Sequence, residues 1–231
     1  MEYFRPRLHP QGQPFILIGL LLTIAAFVFL PQAVGWLLLI ATGFVVFFFR
    51  HPLRTTPLIS DALVSAADGI VTSVEEVPPP PELSMGDEPR LRISVFLSVF
   101  DVHVNRMPAD GIVRQAVYVP GKFLNAALDK ASEDNERQLL RIERPSGDDF
   151  AVVQIAGLIA RRIVCDVVPG DEVSAGKPFG IIRFGSRVDV YCPLGFHPWV
   201  IEGQRMVGGE TILAAARPPA GEGGGVEGRT T

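Results

Sequence analysis

The sequence predicts a mainly β domain with few helices, preceded by an N-terminal helical membrane hairpin. Two observations lead to this prediction. Residues 14–49 form 36 consecutive positions without an Asp, Glu, Lys or Arg. The rest of the chain has short runs rich in Val and Ile, interrupted by Gly and Pro, which are typical of strands joined by turns. With 231 residues, the length fits one ordinary domain plus an attachment.

The apolar N-terminal segment is too long for a signal peptide or for one straight span. Its 36 residues would run about 54 Å as a helix, against a hydrocarbon core of about 30 Å. Pro31 lies near the middle and predicts a break, so Phe15–Leu30 and Ala33–Phe49 become the two arms of a hairpin. One spanning helix with a re-entrant partner is the alternative. Arginines flank both arms, so the positive-inside rule places the large domain on the cytoplasmic side of the cell membrane.

The region after the hairpin predicts a small, strongly bent β domain that resembles barrel-sandwich hybrids. Its strand-like runs are Leu91–Ser98, Arg137–Glu143, Phe150–Val164, Phe179–Phe184 and Arg187–Tyr191. The sequence Ala-Asp-Gly-Ile-Val occurs at 67–71 and again at 109–113, and each Asp-Gly pair is typical of a turn that opens a strand. The convincing helix of this region is Phe123–Ala131.

Composition divides the chain and excludes some functions. We predict an N-terminal flank and hairpin at 1–54, the β domain at 55–216 and a disordered, glycine-rich tail at 217–231. The net charge of −4 gives no electrostatic footprint of a nucleic-acid partner. The two cysteines have neither CxxC spacing nor a nearby histidine cluster, so we expect no metal site and no disulfide framework.

The pair Gly185-Ser186 stands between two strand-like runs, where a tight turn is expected. In a strained Gly-Ser peptide the serine hydroxyl can attack the preceding carbonyl, because glycine leaves that carbonyl uncrowded and allows unusual backbone angles. The resulting ester can eliminate, which converts the serine into a pyruvoyl group. An ordinary structural turn is the alternative interpretation of the pair taken alone.

Five segments, in this order, resemble the pyruvoyl-dependent phosphatidylserine decarboxylases of the short prokaryotic type. They are Ala67-Asp68-Gly69, Phe-Leu-Ser…Asp-x-His…Met-Pro at 96–108, Asn135-Glu136-Arg137, Gln-Ile-Ala-Gly-Leu-Ile-Ala-Arg-Arg at 154–162, and Phe-Gly-Ser-Arg-Val-Asp at 184–189. The resemblance covers residues 50–216, and the apolar hairpin fits it as well.

The resemblance implies a proenzyme that cuts itself between Gly185 and Ser186. The β chain 1–185 and the α chain 186–231 then form a heterodimer. Ser186 becomes the covalent pyruvoyl cofactor, which forms a Schiff base with the amine of phosphatidylserine and accepts electrons as CO2 leaves. The family's self-cleavage uses an aspartate–histidine–serine relay, which carries over here to Asp68 and Ser186, with His103 as the candidate for the histidine. His103 is also suited to return a proton to the product, phosphatidylethanolamine.

This chain departs from the pattern of many longer relatives in its second segment. Those relatives have two histidines there, whereas this chain has His103 at the first position and Arg106 at the second. His103 therefore serves both steps or leaves one of them to another group. Asp101 is a candidate to orient His103. Arg106, Arg161 and Arg162 are candidates for binding phosphate or carboxylate.

Two other functions stay open on the sequence. One is a non-catalytic, membrane-tethered carrier or adaptor with a biotinyl- or lipoyl-like domain. Such a domain attaches its cofactor to a lysine in a tight β-turn, and neither Lys122, before the predicted helix, nor Lys177, before a proline, fits that place. The other is a pyruvoyl decarboxylase of a soluble amino acid, which the hairpin disfavours because the hairpin keeps the protein at the bilayer.

Overall fold

The fold comes from a computed structural model that describes residues 7–121, 123, 135–157, 162–183 and 185–219. The chain divides into two compact units, Met1–Leu53 and Arg54–Thr231. The predicted helix at 123–131 lies, except for its first residue, outside the described residues. Lys122, Arg161 and the predicted tail beyond residue 219 also lie outside them.

The first unit contains an apolar hairpin of two helices, α1 (Gln13–Phe29) and α2 (Gln32–Phe48). The chain breaks where the sequence predicts, because Leu30 is extended and Pro31 has no N–H with which to continue α1. A 3-10 turn, Pro10–Gly12, precedes α1 and extends it to a helical segment of 20 residues, Pro10–Phe29. By length and composition, this segment is the one in the described part of the chain that could cross a membrane, and α2 is slightly shorter.

The two helices meet through small and hydroxyl side chains. The hydroxyl oxygens of Thr23 and Thr42 lie 3.3 Å apart, and each hydroxyl also donates to the carbonyl four residues before it. Gly19 and Gly35 allow the close approach, since a Cβ at either position would overlap a side chain of the other helix. Many large apolar side chains on the outside of the hairpin are exposed, so its outer surface is apolar.

The second unit is built from antiparallel strands. They are β1 (Ala62–Val64), β2 (Gly69–Val77), β3 (Arg90–Leu97), β4 (Val104–Arg106), β5 (Gly111–Val119), β6 (Arg137–Glu143), β7 (Asp149–Ala156), β8 (Ile163–Cys165), β9 (Glu172–Val173), β10 (Pro178–Ile182), β11 (Ser186–Tyr191), β12 (His197–Pro198), β13 (Arg205–Met206) and β14 (Ile212–Ala215).

These strands form three sheets. The largest has the order β13-β2-β3-β11-β7-β6-β5-β9 and curls into a half-barrel. The two smaller sheets have the orders β4-β10-β8 and β1-β14-β12. The prediction of a mainly β, strongly bent domain that follows a helical hairpin in the sequence is confirmed.

Most strand-like runs of the sequence are strands of the structure, within one or two residues. β6 has the predicted bounds, and β3 and β11 each begin one residue earlier than predicted. The run predicted at Phe150–Val164 is not one strand, since β7 ends at Ala156 and β8 begins at Ile163. The chain leaves the strand here because β7 belongs to the large sheet, whereas β8 pairs with β10 in a smaller one.

The two Asp-Gly repeats open strands as predicted, at Gly69 for β2 and at Gly111 for β5. Gly69 has a φ of 154°, and a Cβ there would overlap the backbone carbonyl oxygen of Phe96 in β3. Glycine is therefore needed where β2 begins to pair with β3.

Strand β11 occupies the middle of the large sheet, between β3 and β7. Because side chains alternate along a strand, Ser186, Val188 and Val190 share one face of β11. The two valines belong to the main hydrophobic core of the unit. Arg187 and Asp189 point to the opposite face. Ser186 thus begins the central strand on its core-facing side.

Candidate active site

The Gly185-Ser186 peptide lies at the turn that leads into β11. Gly185 has a left-handed φ of 63°, which glycine adopts at little cost. Ser186 is fully buried and lies opposite Leu97 of β3 and Ala156 of β7. Its hydroxyl oxygen has no hydrogen-bond partner within the described part of the chain. A buried hydroxyl without a partner costs about 1–3 kcal/mol of folding free energy. Such an unpaired hydroxyl is unusual in an ordinary turn.

His103 is fully buried and contacts Gly185, on the N-terminal side of that peptide. Its Nε2 accepts a hydrogen bond from the backbone N–H of Gly185 at 3.2 Å. Its Nδ1 lies 3.0 Å from the carbonyl oxygen of Asp101. A carbonyl oxygen only accepts, so Nδ1 is assigned the proton and Nε2 the lone pair. The structure therefore brings a basic nitrogen to the residue that precedes Ser186.

The loop that carries His103 is fixed by Asp101. The Asp101 carboxylate accepts the N–H of Ser98 at 2.8 Å and its hydroxyl at 2.7 Å, and it also pairs with Arg205. Asp101 contacts His103 through its backbone carbonyl, and its carboxylate is used to hold the loop. Arg205 is a contributor that sequence reasoning missed, because 104 residues separate it from its partner.

Asp68 lies in the same region but is held by other groups. Its carboxylate accepts a 2.6 Å hydrogen bond from Arg54 and a 2.8 Å hydrogen bond from the N–H of Gly208. Burial raises the pKa of Asp68, and the charge of Arg54 opposes that rise. Among the described residues, no hydrogen bond joins Asp68 to His103. The catalytic role of Asp68 thus stays a prediction.

The guanidinium of Arg106 is buried where many longer relatives of this type have a second histidine. It donates to the carbonyl oxygen of Gly176 at 2.8 Å. Burial lowers its pKa, as does the nearby charge of Arg54. A guanidinium still keeps its proton at neutral pH, so Arg106 is no substitute for a histidine base.

We expect Asp68→Asn to change the pH dependence of stability in a defined direction. Because burial raises the pKa of Asp68 above its ordinary value of 3.8, the folded state disfavours the ionised carboxylate more than the unfolded state does. The resulting stabilisation is present below the unfolded pKa and is lost as pH rises through the folded pKa. Relative to the parent, the melting temperature of the Asn variant is therefore expected to rise from about pH 3.5 to about pH 6.5.

The comparison is best made in the uncut Ser186→Ala background, so that both proteins have the same covalent structure. A difference in melting temperature that is constant with pH, or that falls as pH rises, contradicts a raised pKa for Asp68.

A buried pair of side-chain amides includes Gln154, two residues along β7 from the residue that lies opposite Ser186. Gln154 of β7 donates from Nε2 to Oδ1 of Asn105 in β4 at 2.7 Å, and both residues are fully buried. Within the described part of the chain, Asn105 Nδ2 and Gln154 Oε1 have no hydrogen-bond partner. Both residues belong to segments that carry the family resemblance, but nothing in the sequence indicates that they meet.

The opposite face of β11 holds a buried ion pair. Arg187 donates to both carboxylate oxygens of Asp189, at 2.6 and 2.7 Å, and both side chains are almost fully buried. Removing one partner of such a pair typically costs about 3–5 kcal/mol. Neither of these two residues of the Phe-Gly-Ser-Arg-Val-Asp segment can therefore be replaced alone without leaving a buried charge unpaired.

The segment Asn135-Glu136-Arg137 supports the strand opposite Ser186. Asn135 donates from Nδ2 to the carbonyl oxygen of Ala156 at 2.7 Å, and the N–H of Ala156 donates to the carbonyl oxygen of Glu136 at 3.0 Å. Ala156 is the residue of β7 that faces Ser186 across the sheet. This contact gives a structural role to another of the five segments that carry the family resemblance.

Comparison with known proteins shows the family to which the chain is similar. The sequence model of the family described as "Phosphatidylserine decarboxylase" matches residues 41–214. A relative from Granulibacter bethesdensis, named "Phosphatidylserine decarboxylase proenzyme", is 55% identical over 210 residues, which cover 91% of this chain and 86% of the relative. Relatives of the same name from Beijerinckia indica and Cereibacter sphaeroides are 56% and 51% identical, covering 90% and 93% of this chain and 88% and 92% of the relatives.

These matches define the class of protein as an enzyme, and the relatives are named as proenzymes. The chain belongs to the phosphatidylserine decarboxylase family. The alternative of a biotinyl- or lipoyl-like carrier has no support in these findings.

Proposed function

We propose that this chain decarboxylates phosphatidylserine to phosphatidylethanolamine and CO2 with a pyruvoyl group that it makes from its own Ser186. Family membership supports the reaction. One structural observation supports the origin of the pyruvoyl group. The buried Ser186 hydroxyl, unpartnered among the described residues, follows a left-handed Gly185 whose N–H is held by His103 Nε2.

The self-cleavage begins with an acyl shift at this peptide. Ser186 Oγ bonds to the carbonyl carbon of Gly185, the peptide C–N bond breaks, and the hydroxyl proton ends on the nitrogen, giving an ester. Loss of the Ser186 α-proton then breaks the Oγ–Cβ bond and releases the carboxylate of Gly185. Water replaces the nitrogen of the resulting dehydroalanine, ammonia leaves, and residue 186 becomes pyruvoyl.

The residues present fit such a group at position 186. Ser186 makes no hydrogen bond through its side chain to any described residue, so its conversion to pyruvoyl breaks no described side-chain hydrogen bond. When formed, a pyruvoyl group supplies an electrophilic carbonyl that condenses with an amine and accepts the electrons released with CO2. β11 fixes the position of this residue, and His103 provides a nitrogen that holds or returns a proton beside it.

We assign both proton transfers to His103. Its Nε2 is one residue from the serine that must be deprotonated, while the position of a second histidine is occupied by Arg106. Asp68 acts on this site through charge, because its described hydrogen bonds go to Arg54 and Gly208.

The two chains produced by the cut are expected to stay together as a heterodimer. Residues 186–231 contribute β11, which lies between β3 and β7 of the other chain and pairs with six residues of each. β13 and β14 of the same chain pair with β2 and β1. Separation would expose the main hydrophobic core.

We assign the hairpin to the cell membrane, with the catalytic domain on the cytoplasmic side. The apolar outer surface of α1 and α2 supports insertion in lipid, and the flanking arginines support the orientation. Attachment to the bilayer would keep the enzyme at the surface in which a diacyl substrate is concentrated.

Deleting residues 1–49 is expected to release the protein from membranes at high salt. Turnover of phosphatidylserine in vesicles is expected to fall about tenfold or more, because the substrate is no longer held at a high effective concentration. Short-chain phosphatidylserine dispersed in detergent is the control, and its turnover is expected to change little. Complete sedimentation of the truncated protein with membranes at high salt would show that the hairpin is not the main anchor.

The reaction itself is tested with phosphatidylserine carrying a labelled carboxyl group. The purified protein is expected to release labelled CO2 and to form phosphatidylethanolamine in equal amounts. Free serine is the comparison substrate, and a preference for free serine over the lipid would contradict the assigned substrate class.

A further inference from the structure

The amide pair Asn105–Gln154 is a polar group in an otherwise apolar core. Gln154 lies opposite Val188 of β11, and Val188 belongs to the main hydrophobic core. The pair has one internal hydrogen bond, which leaves the NH2 group of Asn105 and the side-chain oxygen of Gln154 without a described partner. Fully buried polar atoms without partners are rare in native proteins, and a catalytic role is one of the explanations for them.

The strand register places the pair beside the bond that is to be cut. Ser186 and Val188 share one face of β11, so Gln154 lies diagonally across from Ser186 on that face. Asn105 follows His103 by two residues, and His103 reaches the N–H of Gly185. The register thus brings Gln154 within side-chain reach of Ser186, and Asn105 lies on the segment that carries His103, whose ring reaches Gly185.

We propose that Asn105 takes part in the self-cleavage, by donating a hydrogen bond from Nδ2 to the oxygen of the Gly185 carbonyl as Ser186 attacks it. When Ser186 Oγ bonds to the carbonyl carbon, the electron pair of the C=O bond moves to the oxygen, and it returns when the C–N bond breaks. Asn105 stabilises this transient oxyanion. Gln154 positions Asn105 through their 2.7 Å hydrogen bond. The inference rests on the self-cleavage proposed above.

A neutral amide suits this step better than a cation. The products of the cut include the carboxylate of Gly185, and a guanidinium at the same place would bind that carboxylate strongly and retain it. The nearby guanidinium of Arg106 donates to the carbonyl of Gly176. An NH2 donor stabilises the oxyanion without a full charge, and preorganised donors of this kind typically contribute about 100-fold or more to rate.

The test follows the rate of self-cleavage of the full chain after a pulse of cell-free synthesis, by denaturing gel. Asn105→Leu removes the donor, and the uncut chain is expected to disappear about 100-fold more slowly than in the wild type. Ser94→Ala is the matched control. Ser94 Oγ is also buried without a described partner, but Ser94 lies opposite Asp189 and thus on the other face of β11. This control is expected to cut at the wild-type rate.

A double variant separates the proposed role from a folding defect. Asn105→Leu combined with Gln154→Met replaces both amides by apolar groups of similar size, so no polar atom of the pair is left unpaired and stability is largely kept. The double variant is expected to melt near the wild-type temperature and still to cut about 100-fold more slowly. Cleavage of either variant at the wild-type rate would overturn the proposal.

Hydroxylamine identifies the step that is slowed. Hydroxylamine cuts an ester that has formed between Gly185 and Ser186, and it leaves an intact serine at the new N-terminus. The Asn105→Leu chain is expected to stay uncut with hydroxylamine, since the ester does not form. Prompt cutting by hydroxylamine would show that Asn105 acts after the attack and would contradict the proposed role. A wild-type chain that never cuts would instead refute the self-cleavage itself.

Discussion

A Ser186→Ala variant is expected to remain a single, full-length chain with no decarboxylase activity. Alanine has no hydroxyl to attack the carbonyl of Gly185, so neither the ester nor the pyruvoyl group can form. The buried Ser186 hydroxyl has no described hydrogen-bond partner, so its removal is not expected to destabilise the fold. Denaturing gels and intact mass measure the outcome, beside a wild-type protein that gives two chains.

Ser94→Ala is the control for this prediction as well, because it removes a buried hydroxyl from the same sheet on the opposite face of β11. It is expected to cut normally. A Ser186→Ala chain that is still cut after Gly185 would show that another nucleophile or a protease makes the cut.

A His103→Gln variant is expected to accumulate uncut precursor and to release no CO2. Nε2 of His103 is the one described side-chain atom that is hydrogen-bonded to the N–H of Gly185, and glutamine cannot replace it as a base. Loss of a general base typically slows a reaction by about 100- to 10,000-fold. His197, which is exposed at the surface, provides the matched control, and His197→Gln is expected to cut and decarboxylate normally.

Parallel gels and CO2 measurements separate the two steps assigned to His103. If the His103→Gln chain is cut normally yet is inactive on lipid, His103 serves only to return the proton, and another group is the base for cleavage. If the variant is cut and decarboxylates at wild-type rates, His103 has no part in the mechanism.

Much of the fold could be predicted because its signals are local. A run without charges and a central proline define the hairpin, and α1 ends at Phe29 and α2 begins at Gln32, on either side of Pro31 as expected. Alternating runs of β-branched residues predict strands such as β6 with the bounds that the structure shows. The order of strands in the large sheet could not be predicted, because it depends on pairings between distant segments such as β3 and β11.

The candidate site also has a part that local motifs predict and a part that depends on contacts between distant segments. Gly185, Ser186 and His103 were predicted from motifs, although their contact joins residues 82 positions apart. The pairing of Asp68 with Arg54 was not predicted, since nothing local distinguishes Arg54 from the other arginines that flank the hairpin. The contact between Asn105 and Gln154 was not predicted either, because single polar residues in strand-like runs usually face solvent.

The intact mass of the purified wild-type protein tests the central claim most directly. The account predicts two chains, 1–185 ending in an ordinary carboxylate and 186–231 beginning with a blocked pyruvoyl group. The second chain is then lighter, by the mass of one ammonia, than the same peptide with an N-terminal serine. One full-length chain with an unmodified Ser186 in active protein would contradict the account.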